Sequence, residues 1–395
     1  MTNNLARVCR SLANLVWFLT TLGIGVHAFF FTQAHNLYLI YDPAIRLWWT
    51  GEDIYVLQAD YFRYSPLFAV FLAPLVILPD SWASLIWKVL NIGIYFVGLK
   101  SAWRHLSPVP EKPALEAAFL MLALPGSLHS MANGQANCAM VGLLLWGLSL
   151  AARQRWTGSA ALVALGVMVK SYSLALALLV AAWKPRELLP RLIVALAVCL
   201  ALPFLAQSPG YVANEYASWV HHLRESEGIN RDRQRALDQV CALCNHPLDS
   251  RTFTLLGMAA GGCVLVWTWL IQRAGADARV VLLRTYQGFA LWVALFGPAT
   301  EGCTYIVVAP AVAQSCVEAY HPSPVWWKLA LLWTSLFLMG PAVTDFVGPM
   351  RMFADTHGSQ PIGALLYALV LAIDSIHLFM ASARIETAPA VHSSY

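Results

Sequence analysis

Charged residues are scarce in this sequence. Asp, Glu, Lys and Arg together make up 12% of its 395 residues, whereas a soluble domain carries about 25%. Three long stretches, Ser11–Phe31, Thr252–Gln272 and Leu329–Thr344, lack all four charged residue types. With 59% hydrophobic residues, the chain has too few polar groups to cover a surface in water. This shortage excludes a soluble globular protein and predicts an all-α, polytopic integral membrane protein.

Other absences narrow the function. The net charge is only +4, and the basic residues lie in short clusters between apolar stretches rather than in one patch. No nucleic-acid partner is therefore expected. Cysteine is sparse, and only Cys241 and Cys244, followed by His246, stand close together. Two cysteines and one histidine are an incomplete zinc ligand set, so a disulfide is the expected state and no metal site is predicted.

The apolar stretches predict thirteen helices, and one of them is too short to cross a membrane. A helix over 65–79 reaches only about 22 Å, against a hydrocarbon core of about 30 Å. If it does not cross, the short basic loops all fall on one side, as the positive-inside rule favours. The predicted helices are 11–31, 65–79, 82–100, 113–131, 136–152, 157–169, 172–183, 188–206, 252–272, 280–297, 304–320, 325–345 and 361–382.

We therefore predict a single transmembrane domain over 1–395, with about twelve spanning helices and both termini in the cytoplasm. Two long loops then lie on the outer face. The first covers 32–64 and leads into a non-spanning juxtamembrane helix over 65–79. The second covers 207–251, where four apolar residues at helical spacing predict an amphipathic helix on the membrane surface. These residues are Val212, Tyr216, Trp219 and Leu223.

The first outer loop concentrates chemically active side chains. Its carboxylates, among them Asp42 and Asp53, are of the type that acts as a general base or binds a metal. Arg63, next to Tyr64, is of the type that holds phosphate through two parallel hydrogen bonds. The alternative is a solvated loop whose charges have no function.

Three further outer turns carry candidate residues. Asn133 and Gln135 present amides that can hydrogen-bond sugar hydroxyls, or that merely cap helix 136–152. Lys170 lies at the tip of a hairpin of two short apolar helices, where a lipid phosphate is a natural partner. The alternative there is a lysine that reaches up to the headgroups. Glu301 lies in a turn between two helices. Either it faces the same cavity, or it is a carboxylate that only stabilises the turn.

Several of these motifs, taken in order, resemble the polyprenyl-phosphate-dependent mannosyltransferases of the GT-C superfold, glycosyltransferase family 87. The resemblance extends over about residues 30–320. The matching pieces are Tyr41–Tyr55 with its Gly-Glu-Asp-Ile-Tyr ending, Arg63–Leu67, Pro79 with Ile86-Trp87, Asn133–Asn137, Val169–Tyr172 and Pro298–Tyr305. Each piece is short. Because the pieces occur in order and are all predicted on the same face of the membrane, the whole set is more specific than any single piece.

The resemblance implies an integral-membrane glycosyltransferase that moves a hexose, with mannose as the expected sugar, from a polyprenyl-phosphate-linked donor. The acceptor is a lipid or a glycan, and the anomeric centre is inverted in an outward-facing cavity of the cell membrane. An Asp at the start of the first outer loop acts as the general base in such enzymes. Neither a nucleotide site nor a cofactor is implied, in agreement with the lack of a Gly-rich phosphate loop.

The chain departs from the family pattern at two places. Asn36, followed by Leu37, occupies the position that aligns with the basic Asp, and an amide cannot deprotonate a hydroxyl. The late motif commonly carries histidine, whereas this chain has Glu301. The expected base is therefore Asp42, Asp53 or Glu301, or the reaction has been lost.

The predicted catalytic residues are thus Asp42 and Glu301. The predicted substrate-binding residues are Asn36, Asp53, Arg63, Tyr64, Asn133, Gln135 and Lys170. Two alternatives to the enzyme are a transporter or flippase of a lipid-linked saccharide and a catalytically inactive GT-C-like membrane protein. A transporter usually shows inverted repeats and interrupted helices at the midplane, and the sequence shows no such symmetry.

Overall fold

The computed structural model describes residues 3–55, 62–225, 234–298, 300–344 and 348–387. Within these ranges the regular structure consists of α-helices and short 3₁₀ helices, without a β-strand. The prediction of an all-α polytopic membrane protein is confirmed. Helices are the expected solution, because a helix satisfies its own backbone hydrogen bonds where lipid offers no partner.

The predicted helices are present, with small shifts at their ends. The α-helices are α1 Asn3–Phe30, α2 Tyr38–Thr50, α3 Pro66–Leu72, α4 Asp80–Leu106, α5 Pro113–Asn133, α6 Asn137–Ala152, α7 Trp156–Val169, α8 Leu174–Trp183, α9 Pro185–Ala201, α10 Pro209–Glu225, α11 Leu237–Leu243, α12 Ser250–Arg273, α13 Ala278–Phe296, α14 Ala309–Tyr320, α15 Trp326–Met339, α16 Pro349–Thr356 and α17 Ser359–Thr387. The 3₁₀ helices are Ala73–Ile77, Ser171–Ser173, Leu202–Leu205, Gly302–Val307 and Pro341–Val343.

The long loops and polar turns meet at one end of the helical bundle, which we call the loop end. There the amide of Leu37 donates to the carbonyl of Asn133 at 3.0 Å. The amide of Arg235 likewise donates to the carbonyl of Thr300 at 2.6 Å. Among the described residues, the loop end comprises 31–55, 62–79, 129–137, 170–173, 202–225, 234–249, 297–298, 300–302, 340–344 and 348–360.

The segment 65–79 begins and ends at the loop end. The Ser65 hydroxyl donates to the carbonyl of Met168 at 2.7 Å, at the tip between α7 and α8. Near its other end, Arg46 Nη2 donates to the carbonyl of Val76 at 3.2 Å. Both anchors belong to elements of the loop end. That the segment 65–79 does not cross the membrane stays a prediction.

Within the described part of the chain, six helices are long and apolar enough to cross a membrane, judged by length and composition. They are Asn4–Phe30, Asp80–Leu106, Pro113–Asn133, Pro185–Leu205, Ser250–Arg273 and Ser359–Met380. The remaining apolar helices are shorter, and α7 and α8 reach only about 21 and 15 Å at 1.5 Å per residue. The total of about twelve crossings stays a prediction.

Within the described residues, three α-helices, α2, α10 and α11, lie inside the two long stretches predicted as loops. In α2, the residues Tyr38, Tyr41, Ile45 and Trp48 recur at spacings of three and four and are all buried. This is the pattern of a helix with one apolar face, although the sequence was interpreted there as irregular loop. The amphipathic helix predicted in the second loop is present as α10, with Val212 fully buried.

The expected disulfide between Cys241 and Cys244 is wrong, because both thiols are free. Cys241 lies in α11 and Cys244 follows its last residue. Residues three apart on a helix keep their Cβ atoms about 5–6 Å apart, whereas a disulfide needs about 3.5–4.5 Å. Within the described ranges, no group of three or more His, Cys, Asp or Glu side chains is placed to hold a metal ion.

Candidate functional site

A tight turn between α5 and α6 presents the predicted amides. Gly134 ends α5 with a φ of +66°, a left-handed conformation that glycine adopts at little cost. A Cβ atom at this position would also lie 3.1 Å from Lys88 Cε. The Asn91 side chain fixes the turn, since its Nδ2 donates to the Gln135 carbonyl at 2.8 Å and its Oδ1 accepts the Ala139 amide at 2.7 Å.

Glu301 is held by a chain of side-chain hydrogen bonds from this turn. Gln135 Nε2 donates to Glu301 Oε2 at 3.3 Å, and Asn137 Nδ2 donates in turn to Gln135 Oε1. The Tyr172 hydroxyl donates to Asn137 Oδ1 at 3.4 Å. Gln135 and Asn137 are buried, while Glu301 is partly exposed. The carboxylate is therefore oriented by fixed amides and still open to a ligand.

Asn133 supports the same corner from the other side. Its Nδ2 donates to the His129 carbonyl at 3.1 Å and to the Cys303 sulfur at 3.2 Å. Cys303 follows Glu301 by two residues in the 3₁₀ helix Gly302–Val307. The α5–α6 turn and this 3₁₀ helix thus lie against each other.

Lys170 supplies a cation beside this corner. It is extended, with a φ of −141°, between α7 and the 3₁₀ helix Ser171–Ser173, and it is partly exposed. Its Nζ lies 4.7 Å from the centre of the Tyr64 ring. Among the described residues, no carboxylate lies within 4.0 Å of this ammonium group. The charge is stabilised by an aromatic face rather than by an anion.

Tyr64 connects Lys170 to the first loop. Its hydroxyl lies 2.9 Å from the hydroxyl of Tyr41, and the Tyr55 hydroxyl donates to its carbonyl at 2.8 Å. Burial raises the pKa of Tyr64 well above its ordinary value, and the positive charge of Lys170 opposes that rise. The negative charge of Glu301 adds to the rise.

Arg63 places a second cation next to Tyr64. Its Nε and Nη2 atoms are buried and have no hydrogen-bond partner among the described residues. Its carbonyl accepts Trp219 Nε1 from α10 at 3.3 Å. Buried donors are normally paired. A guanidinium whose N–H groups have no partner can bind an oxyanion through hydrogen bonds.

The first loop is fastened to α10 through two carboxylates. The amide of Ile54 donates to Glu215 Oε2 at 3.2 Å, and the Ser218 hydroxyl donates to Asp53 Oδ2 at 2.8 Å. The other oxygen of Asp53 accepts the Tyr55 amide at 2.8 Å. Burial, with a smaller contribution from the charge of Asp53, raises the pKa of Glu215 to about 7. Asp53 is thus fully engaged in holding the loop.

Glu215 was missed by sequence reasoning, although the signal was present. It lies on the same face of α10 as Val212 and Trp219, at spacings of three and four residues. A carboxylate on the apolar face of an amphipathic helix must find a partner or stay protonated.

Lys88 is the second residue that was missed. It is fully buried in α4, and its Nζ donates to the carbonyls of His35 at 3.1 Å and Ala132 at 2.6 Å. The ammonium group joins the chain after α1 to the end of α5. A lysine between the apolar residues Trp87 and Val89, well inside a predicted membrane helix, was the signal that pointed to such a role.

Asp42 and Asn36 have side-chain partners other than Glu301 and Lys170. Asp42 accepts Arg46 Nε at 2.7 Å within α2, on the side of α2 that faces the 3₁₀ helix Ala73–Ile77. The Asn36 amide donates to the Thr32 carbonyl at 2.9 Å and to the Ser84 hydroxyl at 2.7 Å. Both amide hydrogens of Asn36 are therefore committed to positioning the start of α2.

The structure thus brings together five of the predicted residues at one corner of the loop end. These are Tyr64, Asn133, Gln135, Lys170 and Glu301, with Arg63 adjacent in sequence. This corner combines a carboxylate, a cation and several amides. These are the groups needed to accept a proton, hold a phosphate and bind hydroxyls.

Comparison with protein-family models identifies a family. The family model described as glycosyltransferase family 87 matches residues 62–298, more than half of the chain. The match includes Arg63, Tyr64, Gln135 and Lys170 and ends shortly before Glu301. No curated protein matches the chain. The chain therefore belongs to glycosyltransferase family 87, and it is a membrane glycosyltransferase.

Proposed function

We propose that this glycosyltransferase transfers a hexose, mannose by family resemblance, from a polyprenyl-phosphate-linked donor to a lipid or glycan acceptor, with inversion. The observation that carries the proposal is the relation between Lys170 and Glu301. Lys170 lies two residues before Tyr172, whose hydroxyl is joined through Asn137 and Gln135 to Glu301, yet Lys170 and Glu301 form no ion pair within 4.0 Å. A cation and a carboxylate that border one region without neutralising each other can act on two different parts of a substrate.

Lys170 is the group we assign to the donor phosphate. Its ammonium has no anionic partner among the described side chains, and an ammonium group offers three N–H donors to phosphate oxygens. The second candidate for binding this phosphate is Arg63. Its buried Nε and Nη2 have no hydrogen-bond partner within the described part of the chain. Positive charge at the leaving phosphate stabilises the negative charge that develops there during transfer.

Glu301 is the group we assign as the general base. It takes the proton of the acceptor hydroxyl, whose oxygen attacks the anomeric carbon of the sugar. The bond from that carbon to the phosphate oxygen breaks, and its electron pair leaves with the polyprenyl phosphate. One displacement from the opposite face inverts the anomeric centre, and one carboxylate base is sufficient for it. Gln135 keeps Glu301 in place through the 3.3 Å hydrogen bond.

The amides of the α5–α6 turn are assigned to sugar recognition. Asn133 and Gln135 lie on the two sides of Gly134, next to Glu301 and Cys303. Amide groups both donate and accept, which matches the alternating needs of sugar hydroxyls.

The loop end is proposed to face away from the cytoplasm of the cell membrane, with both termini inside. The support is the distribution of basic residues in the short turns. These lie at the other end of the bundle, where the positive-inside rule places the cytoplasm. They are Arg7, Arg10, Arg104, Lys112, Arg153, Arg155, Lys184, Arg186, Arg273 and Arg279.

The test is transfer of radiolabelled sugar from synthetic polyprenyl-phosphate-mannose by the purified protein in lipid nanodiscs, with a host lipid extract as acceptor. We expect a labelled lipid product. Glu301→Gln is expected to lower the turnover by about 10²–10⁴-fold, the usual contribution of a general base, with the protein still folded.

Asp42→Asn is the matched carboxylate variant, since Asp42 lies at the same end of the bundle in an ion pair. Loss of transfer in Asp42→Asn with full activity in Glu301→Gln would move the base to α2. Absence of product with mannose and with other polyprenyl-linked sugars, from folded protein, would contradict the proposed donor.

A further inference from the structure

A second polar site lies at the end of the bundle opposite the loop end. It is a cavity of about 340 Å³ lined by two ion pairs. Arg284 in α13 pairs with Glu318 in the last turn of α14, with Nη2 and Oε2 2.6 Å apart. Lys328 in the first turn of α15 pairs with Asp374 in α17. Four charges on four different helices converge on this cavity.

Intramembrane charges of this kind are costly and are functional candidates by default. Each pair here is only partly exposed, with side-chain exposures of 16% and 17% for Arg284 and Glu318 and of 19% and 25% for Lys328 and Asp374. The cavity has equal numbers of cations and anions. A ligand with a single charge would therefore meet an opposing charge as well as a favourable one, whereas a zwitterionic ligand matches both.

The hydrogen-bonding groups left over in the cavity support the same conclusion. The Lys328 ammonium has three N–H donors, of which Asp374 Oδ1 takes one. Asp374 Oδ2 accepts no hydrogen bond from the described part of the chain. One donor group and one acceptor atom thus remain for a ligand that carries a phosphate and a primary ammonium.

An apolar groove continues from this cavity toward the loop end. Its volume is about 270 Å³, and it shares Trp267, Leu371 and Ser375 with the polar cavity. It then runs along α12, α13 and α17, past Ala260 and as far as Phe296. From Gly288 to Phe296, both of which line it, α13 rises about 12 Å.

Trp267 marks the boundary between the polar and apolar parts. Its Nε1 donates to the Ser375 hydroxyl at 2.8 Å, while its ring lines both spaces. Tryptophan favours positions where one end is polar and the other apolar, such as the glycerol region of a bilayer. A polar cavity at the helix ends followed by an apolar groove along them has the shape of one phospholipid in its own leaflet.

We infer that this cavity and groove bind an aminophospholipid of the leaflet opposite the loop end, with a phosphoethanolamine headgroup between the two ion pairs and one acyl chain in the groove. The phosphate accepts hydrogen bonds from Lys328, and the ammonium donates to Asp374. A bound headgroup would connect α13, α14, α15 and α17. The site is separate from Lys170 and Glu301, and it does not depend on the transfer reaction.

The test is native mass spectrometry of the full-length protein in detergent with equimolar phosphatidylethanolamine, phosphatidylcholine and phosphatidylglycerol of identical acyl chains. We expect one retained phosphatidylethanolamine, with at least about tenfold preference over the other two, the size of one charged hydrogen bond. Phosphatidylcholine lacks N–H donors, and phosphatidylglycerol lacks the ammonium. The unfolding midpoint should rise with phosphatidylethanolamine only.

Two variants separate the headgroup from the chain. Asp374→Asn should remove the preference for phosphatidylethanolamine over phosphatidylcholine. Ala260→Phe, which fills the groove, should lower retention of the lipid several-fold. Ala259→Phe is the matched control, because Ala259 is exposed on the same helix and does not line the groove.

Equal retention of the three lipids by the unmodified protein would overturn the inference, whether or not Asp374→Asn folds. Equal effects of Ala260→Phe and Ala259→Phe would overturn the placement of the chain. Displacement of the lipid by soluble phosphoethanolamine, at a concentration similar to that of the lipid, would show that the site binds the headgroup alone. This result would also contradict the binding of an acyl chain in the groove.

Discussion

The side-chain amide of Gln135 donates to the carboxylate of Glu301 at 3.3 Å, across 166 residues of chain. The partner that orients the carboxylate thus belongs to the α5–α6 turn, far from Glu301 in the sequence. Around this contact lie Lys170 and Tyr64, which complete the proposed site. Four predictions follow from the geometry of these and neighbouring residues.

Removal of the cation at Lys170 should weaken donor binding. Lys170→Met removes hydrogen bonds from a charged group, each worth about 1.5–3 kcal/mol, so the donor affinity should fall about 10–100-fold. The measurement is the KM for polyprenyl-phosphate-mannose in nanodiscs. Lys184→Met is the matched control, since Lys184 also lies over an aromatic ring, 5.3 Å from that of Trp183, at the opposite end. Equal effects of the two variants would contradict a phosphate site at Lys170.

The ring of Tyr64 and its hydroxyl should have separable effects. Tyr64→Phe keeps the ring beneath Lys170 and removes only the 2.9 Å contact with Tyr41, so stability should drop by about 0.5–1.5 kcal/mol with donor affinity unchanged. Tyr64→Leu also removes the cation–π contact, worth about 0.5–2 kcal/mol, and should lower donor affinity several-fold. Donor titrations and thermal unfolding of both variants test this. A loss of donor affinity in Tyr64→Phe as large as that in Tyr64→Leu would assign the effect to the hydroxyl.

The attachment of the first loop to α10 should depend on pH through Glu215. Its pKa is raised from 4.5 to about 7 in the folded protein, mainly by burial, so the folded state favours the protonated carboxyl. The resulting stabilisation is fully present below about 4.5 and is lost as the pH rises through about 7, to a total of at most about 3 kcal/mol. Glu215→Gln, which is neutral at every pH, should flatten this dependence.

The measurement for Glu215 is hydrogen exchange of the segment around Ile54, together with unfolding midpoints, at pH 5, 6 and 7.5. The unmodified protein should exchange faster at the higher pH after correction for the intrinsic rate. Identical pH profiles for the unmodified protein and Glu215→Gln would refute the assignment.

Loss of the buried ammonium at Lys88 should destabilise the loop end. Lys88→Met leaves the carbonyls of His35 and Ala132 without their donor, and an unsatisfied buried acceptor costs about 1–3 kcal/mol. We expect a loss of about 2–4 kcal/mol in unfolding free energy, with lower activity through the displaced α5–α6 turn. Lys112→Met, at an exposed lysine, is the control and should change stability little. A melting temperature for Lys88→Met equal to that of this control would be evidence against the bridging role.

Much of the helical framework followed from the sequence. The predicted stretches 113–131 and 252–272 correspond to Pro113–Asn133 and Ser250–Arg273, because a backbone in lipid must satisfy its hydrogen bonds within the helix. The short length of 65–79 and the positions of the basic turns predict that this segment does not cross the membrane, and this stays a prediction. Composition and local periodicity carry this information without any knowledge of packing.

The sequence was less informative within the loops. The segment 38–50 was predicted as part of the first outer loop, without a helix. The helix forms because one face, with Tyr41 and Trp48, is buried against neighbouring elements. Such burial comes from tertiary contacts, which override weak local preferences.

The sequence by itself determined that this is a helical membrane protein, which polar turns share one end, and which residue types are available there. Only the tertiary structure decided which of them meet. It placed Glu301 against Gln135 and buried Glu215 beneath the first loop. The reason is physical: contacts between residues more than a hundred positions apart depend on how whole helices pack, and the chain's local pattern does not encode those distances.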